Sequence, residues 1–369
     1  MRIGTVSSES DFAGLAGPWD GLVRAMPRPS PFLLHSWLLE WWRHYGGDAE
    51  LAVHVAYRGD RLVGALPLSV GRRFGLRVSE FVGGTWALLA DVLVAPGEDA
   101  SVAGALAERL ASSDHDFADL FGLTGSSRLV AALPADALRL IERLEAPVLD
   151  LSPGWDTVYD AKLSPKARRT RRRRKRLLET LGTVEASLAR AHEELAPALE
   201  EAFRVYGLRW HGRHDPSGFV TPTGMEFHRA ALLRLADEDV PRLLTLRVDG
   251  EAIAFTLALQ LSGRAYGLTR AFDPAYAHFS PGSEAKLLSL AAAADEGMER
   301  AEFLGAAAPH NQRFTDRFEP IYQAIGLAHT LRGRAAAAAL LAGIHMRRTI
   351  KRSGAARKLY YRASGLIRR

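Results

Sequence analysis

Hydrophobic and polar residues follow two periods along this chain, and the change from one period to the other predicts alternating helices and strands. Residues 10–30 have a helical pattern that ends in a Pro-rich turn. The next stretch, SWLLEWWRHYGG, has apolar residues at helical spacing, with Ser36 as the expected cap and Gly46 as the expected end. LAVHVAYRGDRLVGALPLSV then places two apolar runs about Gly59-Asp60, which predicts a β-hairpin.

The second half of the chain repeats this plan. A helical stretch around residues 227–236 precedes PRLLTLRVDGEAIAFTLALQL, a predicted hairpin that turns at Asp249-Gly250. GRRFGL in the first half is matched by GRAYGL in the second, a Pro-Gly precedes each following helix, and each helix leads to a short strand. We therefore expect two copies of one module, made of a β-hairpin, a strand, a helix and a strand.

This repeat sets the predicted fold class and domain organisation, an α/β protein with mixed sheets and two similar domains in tandem. The first domain is expected over residues 1–155 and the second over residues 186–330. Between them, residues 156–185 form a basic linker, whose sequence SPKARRTRRRRKRLLETLG predicts a helix from about Lys166 to Leu181. Residues 331–369 predict an Ala-rich helix followed by a basic helical tail.

Composition narrows the classes of protein that this chain can be. With 369 residues, 47% of them hydrophobic, it is long enough for two domains with their own cores. It contains no cysteine, which excludes disulfides, thiolate metal sites and a cysteine nucleophile, and which fits a cytoplasmic protein. We read no secretory signal at the N-terminus, and no window approaches the ~20 continuous apolar residues that a membrane-spanning helix needs.

The stretch from Gly263 to Gly297 is the strongest candidate for a site. It predicts a strand, then a Pro/Gly loop that opens onto a helix capped by Ser283, so that free backbone amides face the loop and suit a phosphate. Gly282 allows a ligand to approach the backbone, Pro281 fixes the loop, and Ser280 adds a hydroxyl. The alternative is an ordinary capped helix after a tight loop.

Within this stretch, DPAYAHFSPGSEAKLL resembles the acyl-CoA pyrophosphate segment of GNAT-superfamily acetyltransferases. Pro274, Tyr276 and Gly282 fall on matching positions, whereas Ala277 and Ser280 replace the usual basic residue and first glycine. Residues 30–325 more narrowly resemble CelD/BcsL-type acetyltransferases, a double-GNAT group associated with cellulose and exopolysaccharide loci. The matching segments are SPFLLHSWLLEWWRHYG, RLVGALPL, FVGG with DVLVAPG, the basic linker, LRW and FDPAYAHFSPG.

The resemblance implies tandem GNAT-like domains that use acetyl-CoA or another acyl-CoA as co-substrate, without a metal. It implies direct attack of an amine or hydroxyl on the thioester, with no covalent enzyme intermediate. Asp273 is then the expected base and Tyr276 the expected proton donor, although an Asx-turn and an aromatic lining are the alternatives. The expected cofactor-binding residues are Thr269, Arg270, Ala271, Ser280, Pro281, Gly282 and Ser283.

Two further segments are expected to bind the acceptor, a small molecule or a saccharide. The loop RWHGRHDPSGF offers Trp210, His211, His214 and Asp215, although its spacing also allows a metal that no helical motif supports. The segment AAAPHNQRF offers His310 and Asn311. Relatives usually carry an acidic pair where this chain has Ala307 and Ala308, an aromatic at His310, a Lys at Asn311 and a Trp at Phe314.

The net charge of +6 is concentrated in two patches on an otherwise acidic chain. Residues 162–176 contain ten Lys or Arg and no acid, and residues 345–369 contain nine and no acid. The tail also holds Tyr360 and Tyr361, a combination that favours peripheral contact with an anionic membrane at its inner face. The linker patch leaves three partners open, namely the 3′-phosphate of CoA, an anionic lipid surface and RNA, and its lack of aromatics argues against stacking on single strands.

Three functions follow from these observations. The leading hypothesis is an acyl-CoA-dependent N- or O-acyltransferase whose second copy holds the cofactor, because the first copy has Glu98 and Asp99 at the equivalent helix start. The second is aminoacyl transfer from a charged tRNA, as in the Fem-like transferases with the double-GNAT plan. The third is a non-catalytic scaffold that docks a polysaccharide synthase at the membrane, motivated by Ala307 and Ala308.

Overall fold

The computed structural model describes residues 1–98, 100–211, 218–304 and 313–352. Groups of helices alternate with groups of strands, as the sequence pattern predicts. The strands are β1 (Arg2–Val6), β2 (Glu50–Leu51), β3 (Val53–Arg58), β4 (Arg61–Leu66), β5 (Leu68–Arg73), β6 (Leu76–Phe81), β7 (Leu93–Val94), β8 (Phe117–Thr124), β9 (Leu138–Asp150), β10 (Val184–Ala189), β11 (Pro241–Val248), β12 (Glu251–Leu261), β13 (Arg264–Phe272), β14 (Arg300–Glu302) and β15 (Arg317–Gly326).

The helices pack on both faces of the sheets that these strands form. They are α1 (Glu9–Ala13), α2 (Ala16–Arg24), α3 (His35–Tyr45), α4 (Ala100–Ala111), α5 (Arg128–Ala131), α6 (Trp155–Lys162), α7 (Pro165–Glu179), α8 (His192–Trp210), α9 (Pro222–Ala236), α10 (Pro281–Asp295) and α11 (Leu331–Arg352). Short 3₁₀ turns occupy Pro31–Leu33, Gly84–Trp86 and Pro274–Phe279. None of the helices in the described ranges combines the length and the apolarity that a bilayer crossing requires.

The strands of the described ranges form two sheets. The smaller has the order β1-β3-β4-β7, and the larger has the order β10-β11-β12-β13-β14-β9-β15-β8-β6-β5-β2. Both predicted hairpins are present, β3-β4 about Gly59-Asp60 and β11-β12 about Asp249-Gly250. In each half a parallel pair follows, β6 with β8 and β13 with β14, so the mixed α/β fold with two similar modules is confirmed.

The two modules share one strand exchange that the sequence pattern did not indicate. β9 follows the first module and pairs with β14 of the second, while β15 follows the second module and pairs with β8 and β9. The large sheet is therefore continuous across both halves. The predicted domain boundaries at residues 155, 185 and 330 stay a prediction. Strands on opposite sides of these boundaries hydrogen-bond to one another in the large sheet.

One detail of the predicted repeat is wrong. Gly71 lies inside β5, whereas Gly263 lies in the turn that precedes β13, so GRRFGL and GRAYGL do not occupy equivalent places. The turn equivalent to Ser262-Gly263 is Phe74-Gly75, and all four of these residues have positive φ. The first copy also differs at Pro67, where the chain leaves β4 in one sheet and enters β5 in the other.

The cap predicted for α3 is also wrong, for a tertiary reason. Ser36 lies within the first turn, and Leu34 occupies the N-cap position without a side-chain hydrogen bond. The carboxylate of Asp20, on α2, accepts a 2.7 Å hydrogen bond from the backbone N–H of His35 and so caps α3 from another helix. Burial raises the pKa of Asp20 to about 6.

The core between the two halves is rich in aromatic rings. Trp37 on α3 contacts Phe227 on α9 edge to face, with ring centroids 4.9 Å apart, and Trp86 contacts His228 at 4.5 Å. Both Trp37 and His228 are fully buried. The helices α3 and α9 therefore join the modules through a packed interface, in which aromatic pairs add to the effect of buried area.

The predicted basic linker helix is confirmed as α7. Ser164 caps it by accepting a hydrogen bond from Ala167 N–H, and Leu178 is buried near its end. A helix that the sequence did not predict, α6, precedes it and packs against α10. The predicted C-terminal helix is present as α11, whereas Tyr360 and Tyr361 lie outside the described residues.

Candidate functional site

A cleft of about 990 Å³ lies between α7 and α10 in the second module. Its floor is the end of β13, one wall is the inward face of α7, and the other wall is the first two turns of α10. The lining residues used below are Arg171, Arg174, Lys175, Glu185, Arg209, Trp210, Arg270, Ala271, Ser280, Pro281, Gly282, Ser283, Glu284, Lys286, Arg313 and Phe314. This volume lies at the upper end of the range of small-molecule and cofactor sites.

The floor exists because β13 separates from β14. The two strands pair in parallel over Arg264–Tyr266 with Arg300–Glu302, and β14 ends there. Against β12, Leu257 lies opposite Thr269 and Ala258 lies opposite Gly267, so Leu268 is the extra residue of a β-bulge. The bulge bends β13 beyond the segment that pairs with β14. Residues 270–272, after the bulge, form the cleft floor.

The start of α10 differs from the predicted one by three residues. Pro281 is the first helical residue, Ser280 precedes it in the left-handed conformation with φ 57°, and the predicted cap Ser283 lies inside the first turn. Proline suits this first position because its fixed φ is already helical and no N–H is lost there. The exposed Ser283 and the half-buried Gly282 both line the cleft, next to the positive end of the helix dipole.

The wall opposite α10 is held in place by an ion pair. Arg171 on α7 donates two 2.7 Å hydrogen bonds to the carboxylate of Glu284 and one of 2.9 Å to the hydroxyl of Tyr159 on α6. The hydrogen bonds to Glu284 raise the pKa of Arg171. The linker helix is thus a structural wall of the site, and not a free tether between domains.

The cleft is strongly electropositive. Among the described residues, its lining carries eight basic side chains against two acidic ones, and one of the acids, Glu284, is already paired with Arg171. Arg209 stacks over Phe272 with 4.8 Å between its Cζ and the ring centroid. The arrangement favours a ligand with several negative charges.

Lys286 is the most perturbed cation in the cleft. It is 6% exposed, and its Nζ lies 4.1 Å from the ring centroid of Phe303 and 4.6 Å from that of Phe314. Burial, together with the guanidinium groups of Arg270 and Arg313, lowers the pKa of Lys286 to about 7. An amine with this pKa is partly unprotonated at neutral pH and can accept a proton.

The two residues predicted for catalysis lie beside the cleft, outside its lining. The carboxylate of Asp273 accepts a 2.8 Å hydrogen bond from Ala275 N–H, which is the Asx-turn alternative. Tyr276 packs against Phe279 in a hydrophobic cluster with Leu178 and Leu246. The catalytic roles of Asp273 and Tyr276 stay predictions.

Most of the predicted cofactor-binding residues come together around the cleft. Arg270, Ala271 and the run Ser280–Ser283 line it, whereas Thr269 lies just before the floor. Of the predicted acceptor-binding residues, Trp210 lines the cleft and His211 is exposed outside it. His214, Asp215, His310 and Asn311 lie outside the described residues, as do Asp99, Ala307 and Ala308. The described residues contain no group of three or more His, Asp or Glu placed to hold a metal.

The equivalent region of the first module is filled by its own chain. The parallel pair β6-β8 is limited to Val78 and Ser79 with Phe117 and Ala118. Beyond it, Ala90 N–H donates a 2.9 Å hydrogen bond to the carbonyl of Gly122, so the segment before β7 lies against β8 where the parallel pair has ended. At the start of α4, Glu98 is paired with Arg58 and Arg61, at 2.7 and 2.6 Å.

Sequence reasoning did not name Lys286, Arg209 and Arg313 as contributors to the cleft, and it did not single out Arg171 and Arg174 within the linker patch. Drawing the linker as a helical wheel would have separated Arg171 and Arg174 from the arginines on the opposite side of the helix, because these two residues lie about one turn apart on the same face. Lys286 gave a weaker signal, since a lysine among apolar residues in a helix can also lie at the surface. Its burial comes from Phe303 and Phe314, which are distant in sequence.

Comparison with known proteins assigns the module that carries the cleft. Residues 165–312 match a family model described as an acetyltransferase (GNAT) domain. The matched segment includes α7, β13 and α10, which together form the cleft. No curated protein gave a significant match.

Solved structures match nearly the whole chain, at low sequence identity. The structure of FemX has 11% identity and a TM-score of 0.59, over 88% of this chain and 97% of its own. A conserved protein of unknown function from Bacteroides thetaiotaomicron has 14% identity and a TM-score of 0.53, and the match covers 88% of this chain and 100% of that protein's chain. The C-terminal domain of a putative lysylphosphatidylglycerol synthetase from Agrobacterium fabrum has 14% identity and a TM-score of 0.52. This match covers 90% of the present chain and 95% of the synthetase domain.

At these identities the structures establish the fold and nothing further, while the family model describes the second module. The chain thus shares its fold with these structures over most of its length, and the segment that forms the cleft is similar to an acetyltransferase (GNAT) domain.

Proposed function

We propose that the chain transfers an acyl group from acetyl-CoA, or from another acyl-CoA, directly to an amine or hydroxyl of an acceptor. The observation that supports this proposal is the basic cleft between α7 and α10, inside the segment that matches the acetyltransferase domain. A CoA thioester carries a diphosphate and a 3′-phosphate, and the cleft has the volume and the excess of cations to hold them. The second module alone would bind the donor.

The first turn of α10 would hold the diphosphate. Its backbone amides and the dipole of the 15-residue helix favour an anion next to Ser280 and Ser283. Arg174 and Lys175 project from α7 into the same cleft and would hold a further phosphate. This gives the inward face of the linker a role in binding the donor.

We assign Lys286 the role of proton acceptor. As the acceptor nitrogen or oxygen attacks the thioester carbon, its proton passes to the neutral Nζ of Lys286, while the carbon–sulfur bond breaks and the sulfur leaves with the electron pair. Lys286 lines the cleft, and its lowered pKa of about 7 leaves the amine partly unprotonated at neutral pH, as a general base requires. Asp273 was the predicted base, but its carboxylate is engaged in the Asx-turn.

The acceptor that we propose is a saccharide or another small molecule of the cell envelope. The resemblance of residues 30–325 to CelD/BcsL-type acetyltransferases supports a role in exopolysaccharide biosynthesis at the inner face of the membrane. Trp210, half-buried at the end of α8, lines the cleft beside Arg209 and suits stacking on a sugar ring.

Calorimetric titration with acetyl-CoA tests the donor site directly. Substitution at Gly282 is unsuited to this test, because a Cβ there would lie 2.9 Å from Cδ1 of Phe272 and would disturb the fold. Ser283→Glu is better, since an acid in the first turn favours the helix and places a negative charge where the phosphate would bind. We expect the affinity to fall at least about tenfold, which corresponds to about 1.4 kcal/mol.

Ser289→Glu is the matched control, because it introduces the same charge on α10 six residues after Ser283, at a position outside the cleft lining. It should bind acetyl-CoA like the wild type. Absence of binding to the wild type, or an equal loss in both variants, would refute the proposed donor site.

Aminoacyl transfer from tRNA is the second candidate, favoured by the exposed arginines of α7. It requires a salt-dependent affinity for tRNA that Arg172→Gln with Arg173→Gln abolishes. Indifference to tRNA would remove it. The third candidate, a non-catalytic scaffold, is removed by release of CoA thiol from acetyl-CoA in the presence of an acceptor.

A further inference from the structure

Helix α7 has two basic faces that differ in their surroundings. Arg171, Arg174 and Lys175 point into the cleft, whereas Arg169, Arg172, Arg173 and Arg176 lie on the opposite side. The second group is spaced i, i+3, i+4 and i+7, which places its members in one row along about two turns. Together with Leu177 and Thr180 these four arginines line a shallow groove, which we call the outward arginine face.

The outward arginine face differs from three other cations of the helix, each of which has an acidic partner. Arg168 pairs with Asp160, Arg171 with Glu284, and Lys175 with Glu179. Within the described part of the chain, no carboxylate lies within ion-pair distance of the four outward arginines, and all four are exposed. Four like charges in one row repel each other, so the face is more stable against an anionic surface than in water.

Exposed apolar side chains lie beside these charges. Leu177 is 44% exposed in the groove, and Leu181, four residues later, is 50% exposed. The face has no aromatic residue on which a nucleic-acid base could stack. Arginines next to exposed leucines fit the boundary between lipid headgroups and acyl chains better than they fit a phosphodiester backbone.

From this charge complementarity and the exposed leucines, we propose that the outward arginine face of α7 docks on an anionic lipid bilayer. This site is separate from the basic C-terminal tail, which lies largely outside the described residues. The guanidinium groups contact lipid phosphates, and Leu177 enters the interfacial layer.

Docking of this face also constrains the acceptor, a step that rests on the proposed function. Because the other side of the same helix lines the cleft, the bilayer surface would lie about one helix diameter, roughly 10 Å, from the cleft wall. An acceptor carried by a membrane lipid could then reach the cleft without leaving the bilayer. The docking itself does not depend on acyl transfer.

The test is sedimentation of the full-length protein with vesicles. Anionic vesicles of phosphatidylcholine with about 30 mol% phosphatidylglycerol are compared with vesicles of pure phosphatidylcholine. The variant is Arg172→Glu with Arg173→Glu, which also relieves repulsion with Arg169 and Arg176 and so preserves the helix. Removing two basic contacts lowers partitioning roughly 30-fold, and the sign reversal lowers it further. The wild type should bind the anionic vesicles, and less so as salt is raised.

Arg128→Glu with Arg139→Glu is the control for net charge, because both side chains are exposed and lie away from α7. It should retain most of the binding, which would locate the contact on α7. Equal partitioning of both double variants, or no preference for anionic vesicles, would overturn the proposal. Binding to tRNA in place of vesicles would overturn it in favour of a nucleic acid. Titration with acetyl-CoA, run in parallel, reports separately on the donor site.

Discussion

Arg171 of α7 donates two 2.7 Å hydrogen bonds to the carboxylate of Glu284 on α10, and this pair joins the two walls of the cleft. Glu284 is 13% exposed and Arg171 is 28% exposed, so the pair is partly shielded from water. A basic helix that would repel itself in isolation is thereby fixed against the second module.

Replacing Arg171 by Leu should lower the free energy of unfolding by about 1–2 kcal/mol. Hydrogen bonds to charged groups contribute about 1.5–3 kcal/mol each, and partial exposure of this pair reduces that figure. The measurement is urea denaturation at pH 7. Arg172→Leu, one residue away on the outward arginine face, is the control and should not lower stability. Equal effects of the two substitutions would contradict a specific role for the pair.

Lys286→Met should raise stability at neutral pH. The folded state lowers the pKa of Lys286 to about 7 from its ordinary 10.5, so the buried cation is destabilising. The unfolded chain binds more protons between pH 7 and 10.5, so wild-type stability gains up to about 1.4 kcal/mol per pH unit from this group. The advantage of the variant should therefore be largest below pH 7 and decline as pH rises toward 10.

This dependence involves the charged groups that face Lys286, namely Arg270 on β13 and Arg313. The cation–π contacts with Phe303 and Phe314 oppose the shift and reduce its size. Lys175→Met, at an exposed lysine of the same cleft, serves as the control. A stability difference between wild type and Lys286→Met that does not change from pH 6.5 to 9 would show an ordinary pKa.

Glu302→Gln should destabilise the fold by about 3 kcal/mol, because a buried ion pair that loses one partner leaves charge uncompensated. Glu302 is fully buried and accepts hydrogen bonds from Arg28 and Arg264, which lie in different halves of the chain. Thermal or urea unfolding measures the loss. Glu299→Gln, at an exposed position in the preceding turn, should cost little, and a similar cost for both would argue against the pair.

One acetyl-CoA should bind per chain. In the first module the segment before β7 packs on β8 through the hydrogen bond from Ala90 to Gly122, and Glu98 lies before α4 with both its arginine partners. Calorimetric stoichiometry checks this expectation. Two equivalent sites would show that the first module also binds the donor.

The sequence by itself determined the two hairpins and the module that contains each of them. Two-residue turns at Gly59-Asp60 and Asp249-Gly250 are local signals, because positive φ is needed at Gly59, Asp249 and Gly250 and few residues adopt it. The linker helix and the strand-loop-helix at residues 264–295 are likewise local patterns. They sufficed to direct attention to Ser280–Ser283, which do line the cleft.

Only the tertiary structure decided which side chains meet. Asp20 caps α3 in place of Ser36, and β15 enters the sheet of the first half, through contacts between residues far apart in sequence. The composition of the basic linker does not show that one side of helix α7 lines the cleft while the other side faces away from it. That division, like the low pKa of Lys286, arises from burial, which depends on neighbours that the local sequence does not contain.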